Sequence, residues 1–559
     1  MSDPAEAIVV ALRGDAAELT TAGRLRRVAR AALPGVVAGL EPSSPRWVWD
    51  TTAVYPELLA AGVRVARAWD LRLARAILRR AAGAPGRVAA LPPDAWDDAG
   101  QADDGALPLD LGGDLDPVEE HARQLAEVAD AARPAALRLL VTAESAGALA
   151  AAEMRFAGLP WRRDVHERLL AEVLGPRVPA DRRPEGLERL LVGIRSALGA
   201  PALNPDSPVE LIRALRAAGV EVESTRASEL RGVDHAAVAP LLEYKKLARL
   251  HAANGWAWLD AWVVDGRFHP EYLVGGVVTG RWAARGGGAL QLPKQVRAAV
   301  QADPGWKLVV ADAAQLEPRV LAGLAGDRAM AEAGRGRDLY AGIVATGAVA
   351  TRQSAKVGML GALYGATGGE GGRLVPRLAQ RFPQALALVE RAAREGERGG
   401  TVATLLGRAT PPVPEERRAL DREAAADGAD ERVQRRARAV ARDRGRFTRN
   451  FVVQGTAAEW ALCWLADLRG RLWAMGDGPL TARPHLVYFL HDEVLVHAPA
   501  EQAEAVAEAV RAAAAAAGRL LFADFPVDFP LDVAVVDRYA DADAPAEDGP
   551  QADGVESSP

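Results

Sequence analysis

The chain of 559 residues is short of several things, and each absence excludes something. Its one cysteine, Cys463, rules out an internal disulfide and a cysteine-built zinc site. Lysine is scarce, so positive charge falls almost wholly on arginine. With abundant alanine, this reads as codon bias rather than chemistry. The N-terminus MSDPAEAIVVALRGD lacks a basic segment followed by a long apolar one, so it does not read as a signal peptide. No apolar run reaches the length expected of a membrane span, and a reducing cytoplasm is the default expectation. A basic balance is also missing. The formal net charge of -6 does not advertise a nucleic-acid binder, although such binding depends on local patches.

What is present is an ordinary globular composition, 49% apolar and 25% charged. The length predicts roughly two to four domains. Charge is spread unevenly. No Lys or Arg lies between Arg87 and Arg123, while ten acids occur from Asp94 to Glu120. Eight arginines fall between Arg432 and Arg449, opposed only by Asp443.

Residues 1–90 alternate short apolar runs with alanine-rich helical stretches and read as a small α/β unit. The Pro-, Gly- and Asp-rich segment at 92–120 reads as a loop or disordered insert, and residues 117–180 as helical throughout. Helical periodicity continues from Pro205 to Leu250. Strands are predicted at YLVGGVVTGRW, WKLVVADA, the two runs flanking His491-Asp492-Glu493, and VDFPLDVAVVD, with helices filling Glu317 to Arg471. The acidic tail from Asp541 reads as disordered. There is no convincing internal repeat.

Three carboxylates stand at the ends of apolar runs: Asp312, Asp492 and Glu493. Such placement is costly unless something pairs with them, and a divalent metal is the usual partner. Transfer of a nucleotidyl group needs a hydroxyl activated and a departing pyrophosphate neutralised. Two metal ions roughly 3.5–4 Å apart do both. The alternative is that Asp312 caps a helix starting near Gln315 and Asp492-Glu493 is a polar hairpin turn. Between these acids, Arg352, Lys356, Leu360 and Tyr364 recur every fourth residue and form one drifting helical stripe, cationic at one end and aromatic at the other. A triphosphate against Arg352 and Lys356 would place its base towards Leu360 and Tyr364. An amphipathic helix with a solvated basic edge is the other reading. Gly358, Gly361 and Gly365 argue against it, since three glycines cost helix stability. Close approach of DNA or a swinging helix would account for them.

At these residues the chain resembles the family A DNA polymerases. DAAQLEPRVLAGLAGD, RQSAKVGMLGALYG and HDEVLVHAP are similar to that family's motifs A, B and C, in order and spacing. TGRWAARGGGALQLP, RFTRNFVVQGTAAEWAL and the thumb-like NPDSPVELIRALRAAG with LLEYKKLARL agree, and the likeness covers about residues 140–540. The resemblance implies an α+β right-hand fold of palm, fingers and thumb, preceded by a small ribonuclease H-like α/β domain. The segments would be 1–150 (exonuclease-like), 151–265 (thumb), 266–330 and 451–540 (palm), 331–450 (fingers) and 541–559 (tail).

It implies roles as well. Asp312, Asp492 and the Ala313 carbonyl would hold two Mg2+ ions, or Mn2+, with Glu493 beside them. Glu317 would lie under the sugar and disfavour a 2′-hydroxyl, and Gln315 and Tyr340, the latter next to the triphosphate, would also bind the nucleotide. Arg352 and Lys356 would grip the triphosphate, with Lys356 as proton donor to pyrophosphate, and Tyr364 would gate the template base. Arg281, Gln291, Asn450, Gln454 and His491 would line the minor groove or primer terminus, where a polymerase checks shape without reading sequence. The arginines from Arg432 to Arg449, Arg446 among them, would lie on phosphates. The alternative for these is a solvated arginine-rich helix. Partners would be primer-template DNA and deoxynucleoside triphosphates, the protein a monomer in the cytoplasm at the nucleoid, with no membrane. Leu360 departs from the family pattern, which bears on sugar discrimination and stacking, and Tyr340, Ala313, Ala314, Ala289 and Pro318 depart from it as well.

Proofreading by the N-terminal domain needs an Asp-x-Glu on its first strand and two further aspartates. AIVVAL carries no acid, and Asp50, Asp70 and Asp130 do not complete the set. The expectation is therefore a degenerate exonuclease-like domain. The alternatives are a bifunctional polymerase and exonuclease, or a catalytically silent DNA-binding protein. A single-subunit RNA polymerase is disfavoured by Glu317.

Overall fold

A computed structural model of the chain describes residues 6–94, 96–97, 116–179, 181–285, 290, 292–366 and 368–543. Most of the acidic insert, the tail from 544, Ala289 and Gln291 lie outside the described residues.

Two compact units emerge from the packing. One comprises Met1–Gly158, Pro270–Leu290 and Ala311–Ala534, the other Leu159–His269, Gln291–Val310 and Val535–Pro559. The second unit holds helices Arg163–Leu174, Glu185–Leu198, Pro208–Ala217 and Val238–Asn254 and an aromatic cluster of Trp161, Trp258 and Phe268. His166 belongs to that cluster. Its Nδ1 accepts from the Trp161 indole at 3.3 Å and its Nε2 donates to the Asn254 carbonyl at 2.9 Å. Burial pushes the imidazole down to about 4, so the neutral ring is the packed form.

The first unit opens with the predicted α/β layer. Strands Ala7–Arg13, Ala16–Thr21, Arg24–Ala29, Arg46–Trp49 and Ala68–Asp70 form one sheet of order 3-2-1-4-5. The first three are antiparallel, and the fourth and fifth run parallel to the first. Asp50 and Asp70 end strands and cap the helices that follow. Asp50 accepts from Thr52 N–H, and Asp70 from Leu73 and Thr51 N–H. Asp130 is paired with Arg87 on the surface. The described start of the acidic insert is anchored, because Asp94 and Asp97 pair with the buried Arg75, which also holds Glu120.

Helix Pro134–Ala157 packs on this sheet through Leu137, Leu140 and Val141. Its other side meets the 43-residue helix Glu431–Trp473, where a Cβ on Gly147 would lie 2.6 Å from Leu462 Cδ2. With a mean hydropathy of 1.3 over 18 residues, it is long and apolar enough to cross a membrane, contrary to the sequence expectation. Burial between two protein layers accounts for that composition, and its acids Glu144 and Glu153 are both buried and paired with arginines. Residues 117–180 are also not helical throughout. A two-residue strand, Leu159–Pro160, follows Gly158, whose φ of +69° ends the helix.

Four strands make a second sheet in the order His485–Leu490, Glu493–Pro499, Trp306–Ala313, Leu531–Val536. The strand expected over YLVGGVVTGRW shrinks to Tyr272–Leu273, paired with Ala283–Ala284. Between them Gly275 and Gly280, at φ +63° and +89°, turn the chain instead of extending it.

Candidate active site

Strand Trp306–Ala313 alternates buried and outward positions near its end, so Ala311 and Ala313 are buried while Asp312 is exposed. Asp312 does not cap the following helix. Gln315 holds the N-cap position at φ +51°, and helix Leu316–Ala325 starts there. Pro318 sits in its first turn, where the missing N–H costs nothing. The Asp492 pair arises from a two-residue hairpin turn. Leu490 pairs with Glu493, and His491 adopts φ +58°, the positive value such turns require.

One main-chain bond brings the two acids together. The Ala313 N–H donates to the Asp492 carbonyl at 2.9 Å, so Asp312 and Asp492 leave adjacent strand ends. Burial pushes the Asp492 carboxyl up to about 6. Arg281 opposes the rise, and the neighbouring Glu493 and Glu317 add to it. Hard oxygen donors fit a divalent ion such as Mg2+. Among the described residues no group of three or more His, Cys, Asp or Glu side chains could hold an ion by itself.

A second cluster sits beside the acids. Arg281 pairs with Glu317, the Tyr364 hydroxyl donates to Glu317 at 3.4 Å, and Gln454 Nε2 donates to Tyr364 at 3.4 Å. Arg281, Glu317, His491 and Asp492 line one cavity, floored by Trp282, Phe489 and Leu462. Tyr364 is 44% exposed at the end of helix Arg352–Tyr364, which Thr351 caps and Gly365 terminates at φ +72°. Lys356 is exposed on that helix and Leu360 half-buried. Asn450 is half-buried, with its Oδ1 lacking a partner among the described residues.

Two glycines of this helix have a packing reason. A Cβ on Gly358 would lie 2.8 Å from Leu378 Cδ1, and one on Gly361 would lie 3.2 Å from the Gly371 main chain. They admit the neighbouring helix Gly369–Arg381.

Other expected residues are held by the protein itself. Gln315 donates to Asp338 at 3.2 Å and accepts from Leu339 N–H at 3.1 Å. Arg352 forms a two-point pair with Asp338 and lies 5.7 Å over the buried Tyr340 ring. Of the eight arginines at 432–449, Arg444 donates to Thr410 and Pro411, and Arg449 to the Ala362 carbonyl and Glu390. These two brace the fold and are not simply solvated. Arg446 is exposed beside Asp443. Sequence reasoning missed Asp338, whose signal was its place as an aspartate directly before the apolar helix Leu339–Ala345, and it missed the buried Glu144–Arg408 pair.

The profile of DNA polymerase family A matches residues 194–540. The thermostable DNA polymerase I of Thermus aquaticus is 29% identical over 431 residues, covering 71% of this chain and 43% of that protein. DNA polymerase I of Chloroflexus aurantiacus is 28% identical over 302 residues, covering 49% of this chain and 29% of its own length. The chain thus spans less than half the length of these curated relatives. The solved polymerase domain of Pol1 from M. smegmatis, in complex with DNA primer-template and dNTP, superposes with a TM-score of 0.67 at 20% identity over 96% of each chain, a likeness of fold. The profile covers more than half of the sequence and includes Asp312, the helix Arg352–Tyr364 and the Asp492-Glu493 hairpin, and the chain belongs to DNA polymerase family A.

Proposed function

We propose that the protein is a DNA-templated DNA polymerase that adds deoxynucleotides to a primer 3′ end, in repair or replication, without proofreading. The observation that carries this reading is the Ala313–Asp492 main-chain bond, which sets Asp312 and Asp492 side by side next to the Arg281–Glu317–Tyr364 cluster. Asp312, Asp492 and the Ala313 carbonyl would hold two divalent ions, Mg2+ or Mn2+, which supply activation of the primer hydroxyl and neutralisation of pyrophosphate. Lys356 donates a proton to the leaving group, and Arg352 binds the triphosphate after exchanging its Asp338 partner for phosphate. Glu317 excludes a 2′-hydroxyl, with Gln315 and Tyr340 bracing its surroundings, and Leu360 and Tyr364 receive the base. Arg281, Gln291, Asn450, Gln454 and His491 contact the primer-template minor groove, and Arg446 its phosphates.

In this reading residues 1–150 are a degenerate exonuclease-like domain, 151–265 the thumb, 266–330 and 451–540 the palm, and 331–450 the fingers. The protein works as a monomer in the cytoplasm at the nucleoid, without membrane attachment. A bifunctional polymerase and 3′→5′ exonuclease is the second reading, because burial and the nearby Asp50 raise the Asp70 carboxyl to about 6. The helix-capping bonds of both aspartates favour the first. Primer extension tests the assignment. Asp312→Ala and Asp492→Ala should each abolish extension and retain primer-template binding, and robust extension by either would sink it. Digestion of a labelled single strand that is lost in Asp70→Ala would favour the second reading.

A further inference from the structure

The buried helix Pro134–Ala157 packs against the cavity floor through Gly147 and reaches the same segment through an ion pair. Glu144 is 1% exposed, and its Oε2 accepts from Arg408 Nη2 at 2.6 Å. Burial pushes the Glu144 carboxyl up, and Arg408 opposes the rise without cancelling it. Arg408 does more than supply charge. A Cβ on Gly280 would lie 2.5 Å from Arg408 Nε and 2.8 Å from its Cζ, so the guanidinium rests against the main chain of the turn Val277–Arg281. Glycine is required there twice over, by this contact and by a φ of +89°. The turn closes through Gly280 N–H to Val277 O at 2.7 Å and Val277 N–H to Arg281 O at 3.0 Å.

Two more contacts seat the same segment. A Cβ on Gly455 would lie 3.1 Å from the Thr279 carbonyl oxygen, placing the long helix against the turn. A Cβ on Gly275 would lie 2.3 Å from Glu144 Oε1, placing the carboxylate against the main chain just ahead of it. Residue 281, which the turn delivers, is the arginine paired with Glu317.

We propose that Arg408, aimed by Glu144, is a positioning residue: it fixes the turn Val277–Arg281 and through it the Arg281–Glu317 pair, so that discrimination between deoxyribose and ribose depends on a buried ion pair with a helix of the N-terminal region. The inference rests on the polymerase reading above. An arginine side chain reaches only as far as its Cα allows. If the turn shifts, Arg281 follows it, and Glu317 loses its fixed place against the incoming sugar.

The test uses the full chain with Arg408→Gln, Arg408→Lys and Glu144→Gln. Two quantities are read: the kcat/KM ratio for a ribonucleoside against a deoxynucleoside triphosphate, and hydrogen exchange of the Gly280 amide. Arg408→Gln should raise the ribonucleotide share roughly tenfold, a modest loss for misplacement of a site group. It should also speed exchange at Gly280 while helix Ala503–Phe522 keeps its protection. Glu144→Gln should move both readouts in the same direction and less far. Arg408→Lys should fall between, because an ammonium keeps the charge and loses the planar contact. If Arg408→Gln fails to fold, Arg408→Lys carries the same two readouts. Unchanged Gly280 exchange in a folded variant overturns the inference, as does a loosened turn with an unchanged sugar ratio. A wild-type protein that extends no primer overturns the polymerase reading instead, and with it the proposed consequence for sugar choice.

Discussion

Arg352 and Asp338 face each other across two helix starts, with Arg352 Nη2 2.7 Å and Nε 3.2 Å from the carboxylate oxygens. In the proposed reading this pair engages the cation that would bind the triphosphate, so nucleotide would have to displace a carboxylate. Exposed pairs of this kind contribute about 0.2–1 kcal/mol, and the Arg352 side chain is 59% exposed. Asp338→Asn keeps an oxygen to cap helix Leu339–Ala345 and removes the charge. The KM for deoxynucleoside triphosphate should fall about twofold with kcat unchanged, a size set by that exposed-pair range. Steady-state primer extension measures it, and a rise in KM would show that Asp338 assists binding.

Lys356 stands one helical turn beyond Arg352, exposed and without an ion pair among the described residues. Its contribution should appear only as charge develops on the leaving pyrophosphate. Lys356→Ala should cost about 3–4 kcal/mol of transition-state stabilisation, by analogy with other preorganised electrostatic contacts. Single-turnover incorporation reads the rate, and thermal unfolding should stay close to wild type.

Glu459 lies fully inside the protein, bonded to Thr404 and to the Leu406 N–H. Burial pushes its carboxyl from 4.5 up to about 7. Below pH 4.5 both folded and unfolded states hold the proton and no penalty exists. Between 4.5 and about 7 the unfolded chain releases it first, so stability should fall as pH rises, then level off above 7. The full effect is on the order of 3 kcal/mol for a shift of this size. Urea midpoints of wild type and Glu459→Gln at pH 5 and pH 8 give the comparison. The wild type should lose more stability between the two, and equal losses would show that Glu459 ionises freely.

Two glycines give opposite expectations for the same substitution. A Cβ on Gly342 would sit 1.6 Å from the Ala333 carbonyl oxygen, a main-chain atom that has no room to yield. Gly342→Ala should destabilise by about 1–3 kcal/mol or more, the range for overpacking. A Cβ on Gly193, within helix Glu185–Leu198, would meet nothing within 4 Å. Gly193→Ala should stabilise by about 0.4–1 kcal/mol, through the lower entropy of the unfolded chain. Denaturation curves of both variants settle the contrast.

Much of the fold was readable because its signals are local. The hairpin around His491 and Asp492, the strand ending at Asp312 and the helix from Arg352 to Tyr364 each follow from alternation, periodicity and a cap within a dozen residues. What escaped sequence reading depends on partners far away in the chain. Nothing near Glu144 in the sequence announces Arg408, and nothing near Asp338 announces that Arg352 will be held there. The glycines of the Arg352 helix were visible, but the helix that fills the space beside them was not. The apolar surface of Pro134–Ala157 was underestimated, because its acids break the run and their buried arginine partners cannot be seen in a linear string.

That helix also decides what can be removed from this protein. A shortened chain that begins after the first sheet would turn Leu137, Leu140 and Val141 out into water and strip the support from behind Glu144. The N-terminal region could therefore lack every nuclease acid and still be indispensable, since trimming it away would unseat the machinery it backs.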